Sequence, residues 1–191
     1  MNKLPETFPV LSTEHLTLEP VSMSMLEDIF FIFNDPSVVR FYHVHPMANR
    51  GKAMERIQQY QRIFRDKTGI RWAIIPKGTH HVAGTIGINS MDSSNKCSVS
   101  YDLSNNWWKR GYMEEAMAAV LAYAFGVLDI NRVQAEVMKD NTDSCELLEQ
   151  LGFVKEGLLR EWQYWDGRYD DIYMYGLLQR EYKAQGHTDL V

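Results

Sequence analysis

The sequence predicts a mixed α/β domain: one sheet, antiparallel in its first half, covered by helices on both faces. Three features lead there. Alternating apolar stretches of strand length outnumber the segments with a helical period of about 3.6 residues. The middle strands are joined by connections short enough for hairpins, and a strand, helix, strand, helix passage follows that fits parallel pairing. The chain has 191 residues, which suits a single core, and no repeat or linker divides it.

His15 to Glu19 alternates around Leu16 and Leu18, and Pro20 ends it as a strand. Ser22 then stands at an N-cap position before a helix carrying Met25, Leu26, Ile29, Phe30 and Phe33. Asn34-Asp35-Pro36 stops or kinks that helix, because the residue before a proline disfavours helical backbone. A second helix covers roughly Gly51 to Lys67 through Met54, Ile57, Tyr60, Ile63 and Phe64. Three strands follow, Ile70 to Ile75, Val82 to Ile88 and about Ser98 to Leu103, with turns at Pro76-Lys77-Gly78 and Asp92 to Lys96. The clearest helix runs from Met113 to Leu128, where Ala116, Met117, Val120, Leu121, Ala124 and Phe125 share one face. Arg132 to Met138 reads as a strand and Thr142 to Leu151 as a helix closed by Gly152. Two strands, Phe153 to Tyr164 and Arg168 to Leu178, finish the chain around the turn Asp166-Gly167.

Composition removes several function classes. Twenty Lys and Arg against 25 Asp and Glu leave a net charge of −5, without the basic field that sequence-independent nucleic-acid binding needs. No apolar run approaches the length of about 18 residues that a membrane span requires, and Met1 to Pro9 lacks the pattern of a secretory signal. Two cysteines, Cys97 and Cys145, are too far apart for a CxxC site. The expectation is a reducing cytoplasm and neither nucleic acid nor membrane as partner. Gly84-Thr85-Ile86-Gly87 spells the GxxG of an RNA-binding loop but lies inside an alternating strand without basic neighbours. His80-His81 and His43-x-His45 lack the acidic partner of a metal site, so no metal is expected.

Two stretches carry chemistry. Trp107-Trp108-Lys109-Arg110-Gly111-Tyr112-Met113-Glu114-Glu115-Ala116 joins a strand to the strongest helix. Helix N-termini bind phosphate through N–H groups that have no intrahelical partner, and Lys109 and Arg110 add charge; a solvated basic corner is the plainer reading. Asn141-Thr142-Asp143-Ser144 precedes the short helix, where helix capping explains all four residues by itself. Both stretches lie at carboxyl ends of strands, the edge at which open sheets hold ligands.

With these two elements the chain resembles the GNAT superfamily of acetyl-CoA-dependent N-acetyltransferases, and within it the RimJ/RimL-like branch of ribosomal-protein N-terminal acetyltransferases. The family's pyrophosphate loop, Gln/Arg-x-x-Gly-x-Gly/Ala, matches Trp108 to Met113, and Glu115-Ala116 follows as in this branch. The pattern Asn-x-x-Ser before Leu-Gly-Phe matches Asn141, Ser144 and Leu151-Gly152-Phe153, with Glu156-Gly157 after it. Trp108 and Met113 depart from the pattern. The resemblance spans about Leu11 to Tyr182 as one domain and leaves residues 183–191 as a tail.

The resemblance implies the GNAT fold, a mostly antiparallel mixed sheet that splays open, and direct acetyl transfer from acetyl-CoA to a primary amine. It places the pyrophosphate on backbone N–H groups of Arg110, Gly111, Tyr112 and Met113, flanked by Trp108 and Lys109. The pantetheine lies along Leu103, and Asn141 bonds the cofactor. Ser144 is the expected proton donor to the departing thiolate. The base is open: Asp102 is the carboxylate near Tyr101, while Glu161, with Gln163 on its face by alternation, is the better-equipped candidate on the later strand. His43 is expected at the acceptor site, since the loop between the first helices often shapes it in this family.

An α-amine with a pKa of about 7.8 is roughly a quarter neutral at about pH 7.4, whereas a lysine at about 10.4 is about 0.1 per cent neutral. The lack of an obvious base therefore favours an α-amine, so a protein N-terminus leads among acceptors. A small-molecule amine (aminoglycoside, polyamine or amino acid) is the alternative. A GNAT module that binds acyl-CoA without catalysis is the rival from another class. The aromatic residues Trp162, Tyr164, Trp165, Tyr169, Tyr173 and Tyr175 on the last strands suggest a homodimer contact.

Overall fold

The structure, a computed structural model, describes residues 4–91 and 93–184. Eight strands form one sheet: β1 (Leu11–Ser12), β2 (Leu16–Pro20), β3 (Ile70–Pro76), β4 (Gly84–Asn89), β5 (Lys96–Leu103), β6 (Arg132–Met138), β7 (Val154–Trp165) and β8 (Arg168–Leu178). Their spatial order is β1-β2-β3-β4-β5-β6-β8-β7. The helices are α1 (Leu26–Asn34), α2 (Pro36–Val39), α3 (Arg50–Arg65), α4 (Tyr112–Ala122), α5 (Thr142–Gln150) and α6 (Gln179–Ala184). Among the described residues, none of them is long and apolar enough to cross a membrane. The mixed sheet with helices on both faces is the expected fold.

β3 explains the two layers. Its alternation sends Ile70, Trp72 and Ile74 to the side of Ala116, Met117, Val120 and Leu121 of α4. Ala73 and Ile75 face Ile29, Phe33 and Ile57 of α1 and α3. A strand apolar on both faces is sandwiched between helices, which fixes it at the sheet centre.

The single parallel pairing among the described strands decides where a ligand can enter. β5 and β6 pair only at Lys96↔Arg132, Cys97↔Val133 and Ser98↔Gln134. Beyond Ser98 the strands separate, while β4 stays paired with β5 as far as Leu103. The result is a wedge at the carboxyl ends of β5 and β6.

Local chemistry accounts for most boundaries. Asp35 caps α2 by accepting from the Ser37 N–H at 2.8 Å, with Pro36 in the first turn. Asn49 caps α3 by accepting from the Lys52 N–H at 3.2 Å, one residue earlier than the sequence reading began that helix. Ser22 precedes a short 3-10 turn, Met23–Met25, but makes no capping bond, and its hydroxyl pairs with that of Ser24 at 2.7 Å. The long helix expected to Leu128 is α-helical to Ala122 and widens into a π-turn over Tyr123–Val127. Tyr123, Ala124 and Phe125 are consecutive and all buried, a pattern that a regular helix cannot place on one face. β1 and α6 had no sequence signal, and α6 runs past Tyr182, the last residue of the expected domain, to Ala184.

The GxxG stretch owes its glycines to close strand approach. A Cβ on Gly84 would lie 2.1 Å from the Asp102 carbonyl oxygen, and one on Gly87 would lie 2.7 Å from the Ile70 carbonyl oxygen. Gly84→Ala is expected to cost about 3 kcal/mol, the upper range for overpacking a rigid backbone contact, read as a lowered midpoint in denaturant.

Candidate active site

The loop from β5 to α4 is shaped by two left-handed residues, Lys109 (φ 58) and Gly111 (φ 76). Such a loop turns successive N–H groups inward. Gly111 is the N-cap of α4 and no side chain caps that end. A Cβ there would meet nothing within 4 Å, so glycine is required by backbone conformation and not by crowding. Arg110 stacks on Trp107 at 5.0 Å, and Trp107 packs against Tyr112 at 5.7 Å, which holds the loop over the wedge. Glu115, next in the motif, accepts from the backbone N–H of His15 at 2.7 Å and ties α4 to β2. Burial disfavours its charge, but hydrogen bonds from Thr13 and His15 outweigh that and hold its carboxyl below the usual range.

Leu103 and Trp107 to Glu114, with Asn141 and Ser144, line a cavity of about 410 Å³. Both sequence motifs therefore meet in one place. Asn141 caps α5, its Oδ1 accepting from the Ser144 N–H at 3.3 Å, yet it also lines this cavity. Its amide nitrogen keeps two donors for a ligand. The capping and ligand readings of Asn141 are thus both satisfied.

A second chamber of about 210 Å³ lies behind it and shares Phe41, Tyr42, Tyr101, Asn141 and Ser144 with the first. His43, Glu136, Trp162 and Gln163 belong to the second chamber alone. The shared residues form a neck, a wall common to the two compartments. Tyr101 stands at this neck with a buried hydroxyl that makes no hydrogen bond. Burial pushes its pKa up to about 12, with the nearby Ser144 hydroxyl pulling the other way.

The edge of β5 facing the wedge is partly capped. The Tyr42 hydroxyl donates to the Tyr101 carbonyl, and the Trp108 indole N–H donates to the Leu103 carbonyl at 2.8 Å. In an extended strand a residue's N–H and C=O point to the same side, so the Tyr101 and Leu103 N–H groups face the wedge as well. Pairing along Leu103 is accordingly open through its N–H, while its carbonyl must first release Trp108.

The carboxylates sort themselves by partner. Asp102 is buried and accepts from Arg71 Nη2 at 2.6 Å, Thr85 Oγ1 at 2.7 Å and Thr85 N at 2.9 Å. It is a strand clamp, not a free base. Glu161 does not reach the site: it sits at a bulge between Leu159 and Gln163 with φ 51, is exposed, and lines neither chamber. The bulge breaks the alternation on which its pairing with Gln163 rested, and Gln163 alone lines the second chamber. Tyr42 and Asp170 are the functional candidates that sequence reasoning missed. Tyr42 bonds a residue 59 positions away and Asp170 meets His43 across 127, so no local pattern announced either.

No cluster of three or more His, Cys, Asp or Glu able to hold a metal occurs among the described residues. The family model described as "Acetyltransferase (GNAT) domain" matches residues 15–154. The uncharacterized N-acetyltransferase p20 of Bacillus licheniformis is 36% identical over 173 residues, covering 90% of this chain and 97% of its own. The ribosomal protein uS5-alanine N-acetyltransferase of Escherichia coli (strain K12) is 34% identical over 79 residues, or 41% of each chain. The solved acetyltransferase (GNAT family) from Bacillus anthracis superimposes with a TM-score of 0.82 at 18% identity, covering 91% of this chain and all of the other, a likeness of fold.

Proposed function

This chain belongs to the GNAT family of acetyl-CoA-dependent N-acetyltransferases, and from that premise we propose that its acceptor is a protein N-terminal α-amine of the ribosomal-protein kind. The observation that carries the reading is the state of the carboxylates around the neck. Asp102 is locked to Arg71, Asp170 is held by His43 and Arg168, and Glu136 meets the Trp162 indole N–H at 3.4 Å. Glu136 is the one carboxylate among the described residues that line the second chamber, while Glu114, Asp143 and Glu146 line the first, on the donor side, so none on the acceptor side stands free to deprotonate a lysine. An α-amine, already partly neutral near about pH 7.4, needs the least help. Similarity to the uS5-alanine enzyme supports the same choice.

The site residues fit the donor. The uncapped α4 N-terminus and the left-handed Gly111 form a cradle for the pyrophosphate on the N–H groups of Arg110 to Met113, with Lys109 supplying charge. Leu103 and Asn141 hold the pantetheine arm, and Trp108 covers it. The thioester then lies at the neck, where the β5 N–H groups can stabilise the oxyanion. The amine enters from the second chamber and attacks directly. Ser144, on the wall common to both chambers, hands a proton to the departing thiolate. Ser144→Ala is expected to lower kcat by about 100-fold with acetyl-CoA affinity retained, measured by thiol release and calorimetry. Unchanged turnover removes that role.

Thiol release with an Ala-initiated peptide, an N-blocked lysine peptide and spermidine, followed by mass spectrometry of the products, tests the acceptor. Acetyl groups on the α-nitrogen support the reading; acetyl on lysine or spermidine alone overturns it in favour of the alternative classes. Exposed Trp162, Tyr164 and Tyr169 on the β7–β8 hairpin are the surface for the homodimer in this reading, which a monomeric mass by light scattering at micromolar concentration ends. The cytoplasm, where nascent and ribosomal N-termini are present, is its compartment.

A further inference from the structure

His43 lines the second chamber and is paired with Asp170, which lines neither chamber; the donor site uses neither side chain. His43, in the connection between α2 and α3, has its Nε2 3.2 Å from Asp170 Oδ2, and each side chain is only 15% exposed. Arg168 Nε lies 3.2 Å from the other Asp170 oxygen, so the carboxylate is fixed from both sides. Trp165 covers the His43 ring edge-on with centroids 6.4 Å apart, and His45 packs on the same indole at 4.9 Å. His43 also has φ 50, a left-handed conformation that is strained for a residue with a Cβ. A backbone outlier, a carboxylate fixed by two partners and an aromatic wall converge on one imidazole that lines the acceptor chamber.

We propose that His43 takes the proton from the acceptor amine and that Asp170 is its positioning residue. The proposal rests on the acetyl-transfer reading above. A carboxylate that accepts the Nε2–H selects that tautomer and leaves the lone pair on Nδ1. The amine nitrogen bonds to the acetyl carbonyl carbon, the carbon–sulfur bond breaks, and the N–H proton passes to Nδ1. The departing thiolate takes its proton from Ser144, and the proton held by His43 is released to restore Ser144 by way of solvent, so amine plus thioester give amide plus thiol. Asp170 stabilises the imidazolium through its contact with Nε2.

The other titratable and charged groups around the chamber are less suited. Tyr101 and Tyr42 are phenols whose pKa burial pushes upward, and Asp102 is clamped by Arg71. Glu136 is exposed on β6 beside the Trp162 indole. His45 packs on Trp165 and lines neither chamber, and Arg168 reaches His43 only through Asp170.

The test uses the full chain with acetyl-CoA and an Ala-initiated peptide, measuring kcat/KM against pH for wild type, His43→Gln and Asp170→Asn. In wild type the acid limb follows His43. Loss of the carboxylate destabilises the imidazolium, so Asp170→Asn moves that limb to lower pH and reduces kcat. His43→Gln lowers kcat by about 100-fold or more and abolishes the limb. Added imidazole restores part of the activity of His43→Ala, and acetyl-CoA affinity by calorimetry is unchanged throughout. His43→Gln with wild-type turnover and profile overturns the proposal. Ring-nitrogen NMR reads the pair without turnover: a proton on Nε2 and a His43 titration that falls in Asp170→Asn support it, and a proton on Nδ1 or an unmoved titration overturns it. Absence of acetyl-CoA binding to folded wild type overturns the acetyl-transfer reading instead.

Discussion

Gly111→Asp is expected to weaken acetyl-CoA binding by at least ~100-fold while leaving the fold intact, as read by calorimetric titration and circular dichroism. Gly111 has φ 76 and open space where a Cβ would sit, so the new side chain costs backbone strain of about 1 kcal/mol but no collision. Aspartate tolerates left-handed backbone better than most residues. Its carboxylate, however, stands at the uncapped N-terminus of α4, where it satisfies N–H groups that a pyrophosphate needs and repels the pyrophosphate itself. Two unit charges about 4 Å apart at an effective dielectric of about 20 repel by roughly 4 kcal/mol, which exceeds the loss predicted here. Gly111→Ala separates the effects: it keeps the strain without the charge and should bind within about tenfold of wild type. Wild-type affinity in Gly111→Asp would mean that the loop is a cap and the donor lies elsewhere.

Arg71→Met is expected to destabilise the fold by about 3–5 kcal/mol, lowering the thermal midpoint by roughly 10 °C. Arg71 is buried across three strands: Nε donates to Thr85 Oγ1 at 2.8 Å, Nη1 to Ser100 O at 3.0 Å, and Nη2 to Asp102 at 2.6 Å. The Tyr60 ring lies 5.2 Å from the guanidinium. Burial disfavours the charge of Arg71, but the neighbouring Tyr60 and Asp102 keep it firmly protonated. Its removal leaves the Asp102 carboxylate buried with only Thr85 as donor. Arg71→Met combined with Asp102→Leu should recover much of the loss, because the uncompensated charge, not the absent attraction, dominates the penalty. If the single and double variants melt together, the pair is not the clamp that geometry indicates. The clamp has a functional side, since it ties β3 and β4 to β5 at Asp102, next to Tyr101 of the neck, while β6 departs.

Elements whose signal is local were legible. α4 showed because Ala116, Met117, Val120 and Leu121 recur at helical spacing and bury one face, and β3 showed because Ile70 to Ile75 is a run of strand length bounded by a turn signal, which the structure extends to Pro76. Gly111 and Asn141 were legible because a left-handed turn and a helix cap each demand particular residue types. β1 and α6 were not: the first is two residues long, and the second is held by Tyr182 packing on Phe125 at 4.8 Å. Glu161 misled for a related reason. Strand alternation is a rule of unbroken strands, and the bulge at Leu159–Gln163 is set by pairing with β8 and by the bond from Glu161 N–H to Asp171 at 2.9 Å.

By itself the sequence determined the family, the glycine turn proposed to hold the donor and the mixed sheet, because each is written in contiguous residues whose backbone requirements are local. Only the tertiary structure decided which groups face the acceptor. Asp102 became a clamp because Arg71 is folded against it, Tyr101 became the neck because β5 and β6 part after three pairs, and His43 acquired Asp170 because the final hairpin returns to the α2–α3 connection. Protonation and reach depend on burial and on partners distant in the chain, and those exist only once the sheet has closed.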